Sequence, residues 1–179
     1  MLDRPCADCG FDPGAQSVAA VPDLLRQNAM AWDELVREGI VRSGRSDPSR
    51  WSSLEYLCHL RDAFGHLDRR LALMVSEDDP EFPYWDQDTC AVEDRYDDQE
   101  PGTVVAQLTV AAEALANRIG DLPEPALTRT GRRDDGALHG RVDLALCAAR
   151  GGPSPRGRGT ALGLNRPRLR ERAGRLLVR

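Results

Sequence analysis

Lysine is absent from this chain: all 24 basic residues are arginine, a bias that fits a GC-rich coding sequence together with the abundant Ala, Gly, Pro and Asp. Aromatic residues are sparse, at 5%, and histidine occurs only as His59, His66 and His139. No run of about eighteen apolar residues is present, and the opening MLDRPCADCGFDP lacks the basic-then-apolar pattern of a signal peptide. Neither a membrane span nor secretion is therefore expected, and the cytoplasm is the expected compartment. No glycine-rich loop joins a strand to a helix and no P-loop occurs, which argues against a Rossmann-type methyltransferase or dehydrogenase and against a P-loop nucleotidase. The five cysteines are odd in number, a pattern that fits reduced thiols better than a disulfide framework.

What is present is unevenly charged. The net charge of -5 conceals an acidic body and a basic tail: residues 136–179 hold ten arginines against Asp143 and Glu171. Phosphate contacts need clustered positive charge, so nucleic acid is not an expected partner of the body, and the tail has no aromatic residue to stack a base. At 179 residues the chain suits one domain with a sizeable core plus a tail.

Helical periodicity is the main signal. Leu24, Leu25, Ala29, Trp32, Leu35 and Val36 predict a first helix from Pro22 to about Glu38, stopped at Gly39. Ser52-Ser-Leu-Glu55 matches a capping box and opens a second helix, with Leu57, Leu60, Phe64, Leu67, Leu71 and Met74 as its core stripe to about Ser76. A third begins near Pro101 and carries Val104, Leu108, Ala111, Leu115, Ile119 and Leu122.

Between helices two and three, Glu77 to Glu100 contains eleven acidic residues and one arginine, with Phe82, Tyr84, Trp85 and Tyr96 set into it. The aromatics are expected to fold this segment onto the bundle, as a solvated crossover or as a lid over a site. Residues 136–150 could start a fourth helix, broken early by Gly151-Gly-Pro153, and the Arg/Gly/Pro-rich stretch 151–179 reads as a disordered tail. The expected organisation is an all-α, up-down four-helix bundle over residues 1–150 whose fourth helix is short or incomplete.

Few side chains offer chemistry. His59 lies on helix two about 110 degrees from the centre of the core stripe, taking 100 degrees per residue. His66 is two turns further on, roughly 10 Å along the axis, so the two do not chelate one ion. By spacing alone a single helical histidine is more often a surface or half-buried residue than a ligand. Cys6 and Cys9 form a CxxC with no second pair, leaving half a metal knuckle, a redox dithiol or a plain structural loop.

Taken together, Cys6-Ala-Asp-Cys9-Gly-Phe-Asp12, the helix Trp51-Ser-Ser-Leu-Glu-Tyr-Leu-Cys-His59-Leu-Arg-Asp62, and the connection with Asp78-Asp-Pro-Glu-Phe82, Trp85-Asp86 and Tyr96-Asp-Asp-Gln-Glu-Pro101 resemble the DinB-like superfamily. That group includes relatives of mycothiol-dependent maleylpyruvate isomerase. The resemblance spans about residues 5 to 137. It implies a four-helix bundle holding a divalent metal, zinc or nickel, on three histidines, one from helix two and two from an HxxxH-type motif on the last helix. It also implies transferase, isomerase or hydrolase chemistry, with a small thiol or another small molecule as substrate.

His59 matches the helix-two ligand. Nothing in this chain matches the other two, since Ala-Arg-Gly-Gly-Pro-Ser-Pro-Arg stands where the family continues with an apolar helix, and His139 comes early and alone. The expected metal site is therefore incomplete. The abrupt change of composition after Leu138 is what an out-of-frame reading produces, and translating the other two frames tests that. The alternatives are a non-catalytic binding module, in which a second copy of the chain covers the exposed apolar stripe, and an inactive truncated product.

Overall fold

The computed structural model describes residues 17–133. The fourth helix expected over residues 136–150, the tail 151–179, the domain boundary near 150, the Cys6/Cys9 pair and His139 lie outside the described residues.

The long helices fall where the apolar periodicity puts them: α1 at Val21–Arg37, α2 at Ser53–Ser76 and, after a short α3 at Gln87–Glu93, α4 at Pro101–Gly120. Their ends follow local chemistry. Beyond α1, Gly39 takes φ 66°, and Gly39 N–H and Ile40 N–H close on the carbonyls of Val36 and Leu35, a Schellman arrangement. At the start of α2 the Ser52 hydroxyl accepts from Glu55 N–H at 3.1 Å while the Glu55 carboxylate accepts from Ser52 N–H at 2.7 Å. Glu100 caps α4, accepting from the amides of Gly102 and Thr103 ahead of Pro101.

The capping glutamate is also an ion-pair partner. Glu55 is buried, and Arg45 from the preceding connection clamps it with Nε and Nη2. Burial alone pushes the Glu55 carboxyl pKa up, but the Arg45 and Ser52 hydrogen bonds with the Arg45 charge outweigh it, and the net direction is down. Ser52 links this corner to the crossover through its hydroxyl and Asp97 Oδ1, 3.1 Å apart. Ser52→Ala is expected to cost about 1–2 kcal/mol, read as a drop in the denaturation midpoint in urea.

One core runs through the bundle. The whole predicted stripe of α2 is buried, joined by Val21, Leu25, Ala29, Trp32 and Leu35 of α1 and Val104, Leu108, Leu115 and Ile119 of α4. Ala111 and Leu122 sit at its margin, and Ala112 and Ala116 take the interior positions. α4 packs along both α1 and α2 and lies between them. Polar contacts at the surface join the helices: Arg26 of α1 forms an ion pair with Glu113 and donates to the Asn117 side-chain oxygen, and Arg118 of α4 is bidentate to Asp68 of α2 at 2.6 and 3.1 Å.

The all-helical bundle expected from periodicity is what forms, with a specific twist in its path. Arg61 reaches Gln107 while Asp68, two turns further along α2, reaches Arg118 further along α4. α2 and α4 therefore run in the same direction, and the chain between them must travel back the length of α2. The acidic crossover does this, and it is not structureless: it contains β1 at Glu81–Phe82, α3 capped by Asp86, and a 3-10 turn at Tyr96–Asp98 entered through Arg95 at φ 50°. Phe82 and Tyr96 are fully buried and Trp85 is half-buried, while Tyr84 is exposed.

Segment 129–133 returns to brace the crossover. β2 at Arg132–Arg133 pairs in parallel with β1, and a Cβ at Gly131 would overlap the Phe82 ring. Arg129 donates to the carbonyls of Met74 and Glu77, satisfying the last turn of α2, which has no basic residue of its own.

Candidate functional site

The crossover lays its side chains on the face of α2 that carries the histidines. His59 is held between two indoles, with Trp51 edge-on at 5.1 Å and Trp85 parallel to it at 5.2 Å and 3°. Trp85 also meets His66 at 4.4 Å, so one indole bridges the two histidines that helical spacing keeps two turns apart. Trp85 is fixed in turn by its Nε1–H, which donates to Cys90 Sγ at 3.2 Å.

This packing strips water from His59. Its Nδ1 is buried and has no hydrogen-bond partner, a condition shared among the described residues only by Asn28 Oδ1. Burial drives the imidazole pKa down to about 4 against the opposing charge of Asp62, so the ring is neutral at neutral pH. His66 is lowered too, by burial first and then by Arg69 and Arg70.

Asp62, one turn from His59, turns away from it. Its carboxylate takes Arg61 Nε and Nη2 at 2.7 and 3.0 Å and accepts the Tyr96 hydroxyl. Arg61 goes on to Gln99 at 2.7 Å and Gln107 at 2.9 Å. Burial and the Asp62 carboxylate both raise the Tyr96 phenol pKa, so Tyr96 serves as a neutral donor. Cys58 is likewise inert: burial pushes its thiol up to about 12, and it faces the Tyr96 carbonyl.

Beside this network lies a hollow of about 390 Å³, lined by Arg61, Asp62, Gly65, His66 and Arg69 of α2 with Trp85, Cys90 and Asp94 of the crossover and Ala111 of α4. Gly65 forms part of its wall. A mid-helix glycine costs about 1 kcal/mol relative to alanine. No local crowding requires it, because a Cβ there would meet only Arg69 Nη1, at 3.6 Å.

His59 thus lies packed between Trp51 and Trp85 and is not among the residues lining the hollow. Among the described residues, no three His, Cys, Asp or Glu side chains gather so as to hold a metal ion. His59 has the chemistry of a ligand, a neutral imidazole with an unpartnered buried nitrogen, but it is a single donor. Sequence reasoning missed Trp85 as the bridge between His59 and His66, and it missed the hollow. An unexplained glycine inside the otherwise regular α2 pattern was the one available signal for the latter.

No family model matches this chain, and no curated protein does. Among solved structures it is similar to YfiT from Bacillus subtilis, described as a probable metal-dependent hydrolase with an unusual four-helix bundle topology. The two share 17% identity over 75% of each chain, with a TM-score of 0.57. That likeness shows the four-helix-bundle fold which the DinB-like resemblance implies.

Proposed function

We propose that this chain is a DinB-like bundle of the metal-dependent type, in which α2 supplies His59 as a ligand for zinc or nickel and the described residues supply no second or third. The carrying observation is the buried, unpartnered Nδ1 of a ring that burial keeps neutral: an imidazole must be unprotonated to bind a metal, and leaving such an atom without any partner is costly. The likeness to a probable metal-dependent hydrolase supports the same reading. Where a bundle of this type holds its metal, the ion acts as a Lewis acid and acidifies a bound water or thiol. The substrate class implied by the resemblance is a small molecule, with a small thiol as one member.

A single imidazole binds zinc far more weakly than a three-histidine site. Zinc titration of the full chain, followed through the imidazole NMR signals, is expected to shift His59 with weak affinity, and His59→Phe is expected to remove that binding. His59 signals unmoved by zinc, or zinc content unchanged in His59→Phe, would sink the assignment. Stoichiometric, tightly held zinc that depends on His59 would show that residues outside 17–133 complete the site.

A further inference from the structure

The hollow between α2, α4 and the crossover has a charge pattern that the network around it does not use. Arg61 and Asp62 neutralise each other, and their remaining hydrogen-bonding positions go to Gln99, Gln107 and Tyr96. The other two charged residues in its lining, Arg69 and Asp94, are exposed, and neither the Arg69 guanidinium nor the Asp94 carboxylate has a hydrogen-bond or ion-pair partner among the described residues; Asp94 bonds only through its backbone, to Gln99 and Cys90. Gly65, also in the lining, puts no side chain into the wall, and a Cβ there would meet only Arg69 Nη1, at 3.6 Å. Trp85 adds an aromatic wall that is itself anchored on Cys90.

We propose that this hollow binds a small molecule carrying both a carboxylate and an ammonium group, an α-amino acid or a close analogue. Its carboxylate lies on the Arg69 guanidinium and its ammonium on Asp94. A guanidinium presents a planar fork that matches a carboxylate, and the Asp94 carboxylate accepts hydrogen bonds from an ammonium, whereas it repels a simple anion. An anion alone would bring a like charge towards Asp94 and a cation alone towards Arg69, whereas a zwitterion presents the opposite charge to both. A volume of about 390 Å³ falls at the small end of ligand sites and suits a ligand of this size. The site involves neither His59 nor a metal, so it stands or falls independently of the proposed metal ligand.

Ligand-detected NMR of the full chain against each common amino acid tests this, followed by the N-acetyl and methyl-ester derivatives of the best binder. The expected result is binding of at least one free amino acid, with each derivative at least tenfold weaker. Arg69→Gln and Asp94→Asn are expected to weaken binding tenfold or more, and both positions are exposed, so their melting temperatures should match the parent's. Gly65→Leu, which fills the wall, is expected to abolish binding, with thermal melting as the check that it folds. Absence of binding by every amino acid overturns the proposal. Equal binding of the N-acetyl derivative, or affinity retained in Arg69→Gln, overturns it as well.

Discussion

Lowering the pH from 7 to 5 is expected to remove about 2 kcal/mol of folding stability through His59 alone. Burial between Trp51 and Trp85 holds its folded pKa at about 4, whereas in the unfolded chain it reverts to the ordinary value of 6.5. Between those two values the unfolded state takes up a proton that the folded state refuses. The contribution is therefore complete above the unfolded pKa, declines as the pH falls, and levels off below about 4. Glu55 acts in a lower window: its folded pKa is depressed, so its stabilisation is present above the ordinary carboxylate range and is lost only on further acidification. Urea denaturation at the two pH values measures the effect. His59→Phe keeps an aromatic ring between the indoles without a titrating group, and it should lose most of the decline from pH 7 to 5, leaving the part contributed by His66, whose pKa burial also lowers. An unchanged slope in that variant would assign the effect to other groups.

Tyr96→Ala is expected to destabilise the protein by about 3–5 kcal/mol, a large part of the 5–15 kcal/mol typical of a domain. Tyr96 is fully buried at 0% exposure, and it is the residue by which the crossover is nailed to α2. Its ring fills core volume, its hydroxyl donates to Asp62, and its carbonyl meets Cys58. The guanidinium of Arg61 lies 5.9 Å from the ring centroid. Tyr96→Phe separates the contributions: it keeps the ring and removes the hydroxyl, leaving Asp62 to Arg61 alone, at a cost of about 1–3 kcal/mol. Chemical denaturation gives both values. Hydrogen exchange over residues 82–98 should accelerate in Tyr96→Ala more than exchange in α1 does, because the crossover loses its anchor first. A Tyr96→Ala variant as stable as the parent would mean that the crossover is held elsewhere.

The long helices were legible because each writes its own boundaries within a few residues. The stripe from Leu57 to Met74 recurs at helical spacing, Ser52 and Glu55 sit three apart at its head, and Gly39 stands where a left-handed residue must end α1. These are short-range relations of a kind that periodicity and capping chemistry report. Trp85, Arg129 and Gly131 are a different case. Trp85 serves His59 and His66 across a turn of chain, Arg129 caps carbonyls 55 and 52 positions away, and Gly131 yields space to Phe82. Nothing within a few residues of any of them announces the partner.

The candidate site divides along the same line. The one-dimensional pattern marked His59 by its place in a motif and on α2, and it assigned the aromatics of the acidic crossover to the bundle surface. It could not say that the crossover runs back along α2, that Trp85 would desolvate His59, or that Asp62 would turn to Arg61 and Tyr96 instead of to the imidazole. A protonation state depends on how completely water is excluded and on which charges lie within a few ångströms, and both are set by segments distant in sequence. Helix positions were thus determined by the sequence alone, through local periodicity and capping, whereas His59 was singled out by the family resemblance and not by its spacing. The parallel course of α2 and α4, the neutral unpartnered imidazole and the hollow beside Gly65 were decided only by the tertiary structure, because each exists where separate segments meet.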